Sequence, residues 1–351
     1  EVPQGAIRLN TDSQKLEFFA QDRWYEMATD VPTLDGGVRG VFFGGAPSGQ
    51  DYTKMNFITI STQGDAGDFG DLATLHNQGA AAASSTRGIY AGGENPSVTN
   101  TIEFITISST GNSQDFGDMT DQRRRMNGMG CSNQTRALLS GGYDGSNTLN
   151  LIDFITIAQT GNAVNFGDLS VLRESGAECA SPTRGFCING RSQPANNALD
   201  SIDFVTIATT GNTVDFGDSA GGSHYASAAC ASQTRGIFHR GSTPDIEFIT
   251  ISTLGNAANF GDTLLTNQNA QFGLSNAVRG VFHSGLNTSN NPTNMIDYIT
   301  MATLGNAKDF GDILSVESQH MGCASPTRAI FGAGFDVPAK TSVVEYVQIM
   351  S

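Results

Sequence analysis

Seven arginines recur through the chain at intervals of roughly fifty residues: Arg39, Arg87, Arg136, Arg184, Arg235, Arg279 and Arg328. A circle of guanidinium groups would bind an anion, because the planar fork matches carboxylate and phosphate geometry. A scaffold produces the same recurrence when one guanidinium satisfies the same turn carbonyls in every repeat. Uniform recurrence fits the scaffold role better. The five cysteines divide in the same way. Cys131, Cys179, Cys230 and Cys323 each stand five residues before a repeat arginine, where other repeats carry Ala82, Leu34 or Leu274. A slot that accepts Cys, Ala or Leu is a core site in which the thiol acts as a small hydrophobe. Cys187 shares its slot with Tyr90, Leu139 and Phe238, again a core pattern. No Cys-x-x-Cys pair is present, so no disulfide, no metal and no other cofactor is expected. His239 and His283 occupy one repeat position, which marks them as packing residues. Nucleophile elbow, His-Glu-x-x-His, phosphate-loop and EF-hand spacings are absent, and the chain reads as a non-enzyme.

The elements that carry these residues follow from the repeat. Each unit reads as four short strands, a to d. Strand a is a small-residue run such as Gly79–Ala83, and strand b opens at the arginine and closes at a glycine such as Gly93 or Gly142. Strand c starts at an aromatic (Phe57, Phe104, Phe154, Phe204, Phe248, Tyr298, Tyr346), and strand d carries Phe-Gly-Asp. Between c and d lies a Gly-Asn or Gly-Asp turn, a strong hairpin signal. Four antiparallel strands repeated around an axis describe a β-propeller. Strands b and c occur seven times but Phe-Gly-Asp only six, and Arg23-Trp24-Tyr25-Glu26-Met27 overlays the missing copy. The expected fold is therefore all-β, a seven-bladed propeller of four-stranded antiparallel blades. Residues 23–351 form it, residues 23–27 close the last blade, and residues 1–22 are a separate N-terminal β-hairpin. Each repeat arginine is expected to reach the c–d turn carbonyls and the acceptor before Phe-Gly-Asp, such as Asp115 or Asp215. The acids before strand c, such as Glu103 and Asp153, should lie at the far end.

The paired glycines ending strand b (Gly44-Gly45, Gly92-Gly93, Gly141-Gly142) resemble the diglycine of kelch repeats. The chain departs from that family in lacking a blade tryptophan, since Trp24 is the only one. The fuller pattern, Ile-Asp-Phe-Ile-Thr-Ile-Ala-x-Thr-Gly-Asn followed by Phe-Gly-Asp-Leu, resembles kelch-like repeats in virion proteins of tailed phages, marine ones especially. Residues 5–27 resemble a short hairpin element of phage fibre and tail proteins. The resemblance implies a structural virion protein, a tail-fibre or tail-tip propeller used for host-surface attachment. An architectural virion subunit or decoration is the alternative, and a carbohydrate-active enzyme a third reading. It further implies location in the virion, partners among other virion proteins through the N-terminal segment, and a homo-oligomer.

Binding should sit where the repeat breaks, because variable polar loops on a rigid scaffold carry recognition. The b–c loops vary most in length, and with the d–a connections they share one end of the blades. They supply the candidate ligand or partner face: His76, Arg123, Arg124, Arg125, Arg173, Asn196, Asn197, His224, Tyr225, Asn290 and His320. Amides and hydroxyls with an occasional aromatic suit a host surface polysaccharide. A net charge of −15 argues against nucleic acid as a partner. No apolar run reaches the roughly twenty residues of a membrane-spanning helix, so no membrane insertion is expected.

Overall fold

Runs such as Thr101–Thr106 place β-branched and aromatic residues between glycine turns, and this is where the strands form. The computed structural model describes residues 2–10, 15–26, 39–44, 53–75, 77–126, 131–222, 228–241, 243–265, 272–283, 285–287, 289, 291–317, 321–336 and 339–349. Its regular elements are all strands, paired antiparallel in small sheets, with no helix among the described residues. No helix is therefore long and apolar enough to cross a membrane. The chain divides into two compact units, Glu1–Thr33 and Leu34–Ser351.

The first unit is a three-stranded meander of Ile7–Asn10, Lys15–Ala20 and Arg23–Glu26. Gln21 and Asp22, both at positive φ, make the two-residue turn before its third strand. Arg8 pairs with Glu17 and lies 4.1 Å from the Trp24 ring, while Phe18 stacks on Tyr25 across the other face. Residues 23–26, expected with residue 27 as the closing strand of the last blade, belong to this three-stranded sheet. Arg23–Glu26 pairs in register with Glu17–Ala20, and the neighbouring strand, two residues away, takes the edge at little loop-closure cost.

The second unit holds seven repeat sheets. The second, fourth, fifth and sixth have four strands, as expected, in the order a-b-c-d. The fourth runs Ala177–Ala180, Arg184–Ile188, Ser201–Thr206, Val214–Asp218. The first and third show b, c and d, their a segments falling largely outside the described residues. The seventh has three strands, Met321–Ala324, Arg328–Asp336 and Ala339–Gln348, with no strand d among the described residues. Within each of the first six sheets the strand-c aromatic meets the strand-d Phe edge to face, as Phe104 does Phe116 at 5.9 Å.

Sheets are joined in order by three recurring contacts. Strand d of one sheet accepts hydrogen bonds from the c–d turn of the next: Gly111 N donates to Phe69 O, Gly161 N to Phe116 O and Gly211 N to Phe166 O, at 2.6–2.7 Å. The turn Asn returns the bond, its Oδ1 accepting the N–H of the Phe-Gly-Asp aspartate (Asn112 from Asp71, Asn162 from Asp118) at 3.1 Å. At the same end of the strands, each repeat arginine stacks on the strand-c aromatic of its own sheet, 4.5–4.9 Å from the ring centre. Its Nη1 donates to the carbonyl ending strand c of the following sheet: Arg39 to Ile107, Arg87 to Ile157, Arg136 to Ile207, Arg184 to Ile251 and Arg235 to Met301. In the seventh sheet Arg328 donates to Ile60 O at 2.8 Å and Thr62 O at 3.2 Å, both in the first sheet. The third contact is steric. The cysteine slot of one sheet packs on the second residue of the next strand b: Cys179 on Gly236 and Cys230 on Gly280, each sulfur 2.8 Å from where a Cβ would stand. Cys323 packs in the same way on Gly40, and Ile58, Ile60 and Ile330 form one apolar cluster.

The arginines thus reach turn carbonyls, as expected, but those of the neighbouring sheet. For Arg39, Arg87, Arg136, Arg184, Arg235 and Arg328 the side-chain acceptors are these carbonyls and not the acids before Phe-Gly-Asp. Asp68, Asp115, Asp215 and Asp309 each accept the N–H two residues on, holding the bulged glycine. Loss of one arginine removes a charge-assisted bond of about 1.5–3 kcal/mol and a ring contact of about 0.5–1 kcal/mol. Arg184→Ala should lower the unfolding free energy by about 2–4 kcal/mol, read as a lower midpoint in chemical denaturation. An unchanged midpoint would show that the carbonyl contact to Ile251 adds nothing.

Candidate functional site

Among the described residues, the b–c loops and d–a connections of the second, third and fourth sheets are tied to one another. Glycines at positive φ, Gly92, Gly93, Gly141 and Gly142, turn the chain out of strand b. The loops that follow are tied to the d–a connections by short bridges. Glu94 pairs with Asn77, Arg124 with Tyr143 and Glu174 with Arg191. Side chains reinforce them. Arg124 forms an ion pair with Glu94 and lies 5.4 Å from the Tyr143 ring centre. Arg125 donates through Nε to Gln78 Oε1 at 2.7 Å. Arg191 binds the buried Glu174 carboxylate at 2.9 Å, and Gln193 N donates to Thr148 Oγ1 of the neighbouring loop at 2.8 Å. A continuous polar surface therefore runs across three sheets, with Ser97, Gln122, Ser146, Asn147, Asn196 and Asn197 exposed along it.

The expected face is partly realised. Asn196 and Asn197 are exposed at a loop tip, with Asn196 Oδ1 accepting from Arg191 and Gln193 at 3.3 Å. Arg124 and Arg125 lie at the face but are held by Glu94 and Gln78. Arg123 and Arg173 are not on it. Both are fully buried, Arg123 paired with Asp153 and Arg173 with Asp203 at 3.3 Å. The run Arg123-Arg124-Arg125 looks like a surface patch, yet Arg124 bridges to Tyr143 and the positive φ of Arg125 turns the chain, so the three side chains do not share one side. Arg123 turns inward, where Leu139, Gly141 and Leu151 carbonyls accept from its Nη1. His76, His224, Tyr225, Asn290 and His320 lie outside the described residues.

The strand-c acids, expected only to be poor partners for the repeat arginines, turn out to form a buried row with its own task. Each caps the backbone just after Phe-Gly-Asp in the preceding sheet. Glu103 accepts from Ala73 N and Thr74 N, Asp153 from Thr120 N, Asp203 from Ser170 N, Glu247 from Ala220 N and Gly221 N, and Asp297 from Leu264 N. The signal lay in the spacing, since Arg123 and Arg173 stand at the same repeat position, each paired with the next sheet's strand-c aspartate. Asp297 has no cation among the described residues, and its Oδ1 is buried without a hydrogen bond. Burial raises its carboxyl from 3.8 to about 6, against the lowering effect of the Leu264 N–H. The folded state holds this proton more tightly than the unfolded chain. The contribution is therefore fully present below the ordinary aspartate value and lost as pH rises through about 6. The melting temperature of Asp297→Asn relative to wild type should improve between about pH 4 and about pH 7. A difference independent of pH would rule out a raised carboxyl at this position.

The histidines of strand b are packing residues. His239 and His283 are fully buried, and their Nδ1 atoms accept from Gly241 N and Gly285 N. No protein-family model matches the chain, and no curated protein matches its sequence.

Proposed function

We propose that the seven repeat sheets are the blades of a closed seven-bladed propeller, and that it is a non-catalytic binding module for surface glycans. The closure is supported by the order of the arginine contacts, sheet to following sheet, with Arg328 of the seventh donating to Ile60 O of the first. The binding reading is carried by one observation: a polar network of loop side chains is continuous over the second to fourth sheets, at the end of the blades away from the repeat arginines. Its exposed amides and hydroxyls match the hydrogen-bonding pattern of sugars, and its ion pairs fix the loops in advance, which lowers the entropic cost of binding. The resemblance of the repeat to phage virion proteins suggests the setting, a tail fibre or tail tip facing the host envelope. The N-terminal sheet suits attachment to other virion proteins, because Ile7 and Leu9 expose 64% and 60% of their surface on one face.

The test is binding of the purified chain to immobilised bacterial surface polysaccharides, with Asn196→Ala/Asn197→Ala as comparison. Saturable binding at micromolar concentration, weakened about tenfold or more in the double variant, is expected for lost sugar hydrogen bonds of about 1.4 kcal/mol or more in total. Absence of binding across the panel, with retained association to other virion proteins, would replace this reading with an architectural one.

A further inference from the structure

Repetition within the chain separates what the scaffold needs from what it does not. At the residue six before the repeat arginine the described sheets carry Ala81, Ala229, Gly273 or Gly322, and the fourth sheet carries Glu178. Its cross-strand partner is Tyr90, Phe238, Phe282 or Phe331 elsewhere, and Cys187 in the fourth sheet. A small residue facing an aromatic has thus been replaced, in one sheet, by a carboxylate facing a thiol. Cys131 of the third sheet reaches the same place, because its slot packs onto Gly185.

The three side chains converge. Cys131 Sγ and Cys187 Sγ are 3.4 Å apart, and Cys187 Sγ is 3.5 Å from Glu178 Oε1. All three ligand atoms lie within 4.8 Å of one another. Two sulfurs and one oxygen around a tetrahedral zinc ion would be separated by about 3.8 Å (sulfur to sulfur) and about 3.6 Å (sulfur to oxygen). Ser140 Oγ donates to Glu178 Oε1 and Cys131 N donates to Glu178 Oε2 at 3.3 Å, which orients the carboxylate as outer partners orient metal ligands. Both sulfurs are buried. Cys-x-x-Cys spacing could not reveal it, because the sulfurs come from different sheets.

We propose that Cys131, Cys187 and Glu178 bind a thiophilic divalent cation of the zinc type, pinning the third sheet to the fourth. Burial pushes the Cys131 thiol up, and because a thiol gives up its proton on ligating a metal, binding releases the two thiol protons to solvent. Two thiolates and one carboxylate then leave the fourth position to Ser140 Oγ or water. The cation would act structurally, beneath the loops of the candidate binding face.

The test is equilibrium dialysis of the full, reduced chain against zinc, followed by metal quantification, with cobalt as a spectroscopic substitute. One zinc per chain is expected, together with a thiolate-to-cobalt charge-transfer band and a higher melting temperature in the presence of metal. Glu178→Ala/Cys187→Phe installs the Ala229 and Phe238 pair of the fifth sheet, so it should fold and melt without responding to zinc. Cys131→Ala, with the residue found at Ala82, should lower zinc affinity at least tenfold and abolish the cobalt band. Zinc retention equal in wild type and double variant, or no retention by the reduced wild-type chain, would overturn the proposal.

Discussion

Gly117→Ala should be among the most damaging single substitutions in the chain. Gly117 sits at φ 141° in the bulge of strand d, and an added Cβ would stand 2.6 Å from the carbonyl carbon and oxygen of Gly161. The obstacle is backbone, held in place by Gly161 N donating to Phe116 O at 2.7 Å and Ala163 N to Asp118 O at 2.8 Å. It cannot withdraw without breaking the joint between second and third sheets. A strained φ costs about 1–3 kcal/mol and overpacking about 1–3 kcal/mol more. Gly311→Ala supplies the control. Gly311 has a similar φ of 132° but nothing within 4 Å of its added Cβ, so only the first cost applies. Chemical denaturation should find Gly117→Ala the less stable by about 1–3 kcal/mol. Equal losses at the two sites would mean that strand d does not pack on the following turn.

Asp153→Ala should be comparably severe through a different cause. Its carboxylate, fully buried, receives Thr120 N at 3.0 Å, Thr120 Oγ1 at 2.7 Å and the Arg123 guanidinium. Truncation leaves a buried cation without its counter-charge, a loss of about 3–5 kcal/mol. Burial already pulls the Arg123 value below that of a free guanidinium, and only Asp153 and Asp121 counter this. Arg123→Met added to Asp153→Ala should restore part of the stability, because the stranded charge goes with it. If the double variant is no more stable than Asp153→Ala, the cost lies in the Thr120 contacts. Neither change should affect glycan binding, since Arg123 lies beneath the loops.

Much of the fold was legible because a repeat supplies its own comparisons. Strand identity, the Gly-Asn turn and the core role of the cysteine slots all followed from asking what varies at one position. What joins one sheet to the next was harder to read, because its partners lie in successive repeats. The Gly-Asn dipeptide reads as a hairpin turn, yet Asn162 chiefly serves Asp118 of the preceding sheet. Arg184 was expected at a turn of its own sheet and instead reaches Ile251 O of the next. Residues 23–26 resemble a strand d in sequence, but a two-residue turn commits them to Lys15–Ala20. The candidate face was legible as a region from its loop variability, and misread at Arg123 and Arg173, where sequence does not say which way an extended side chain points. Cys131 and Cys187 were correctly placed in the core, but their meeting depends on the offset between sheets.

The central claim is that the seventh sheet meets the first. Exposed Gln63 lies beside Thr62, whose carbonyl accepts from Arg328, and exposed Thr327 precedes that arginine. Spin labels at Gln63→Cys and Thr327→Cys, with Cys323→Ala to remove the part-buried thiol, allow the separation to be measured by pulsed dipolar spectroscopy. A closed ring predicts one short distance, near the lower limit of the method. Seven sheets stacked in an open row at about 10 Å per sheet would instead separate the labels by about 60 Å, and that result would contradict the propeller.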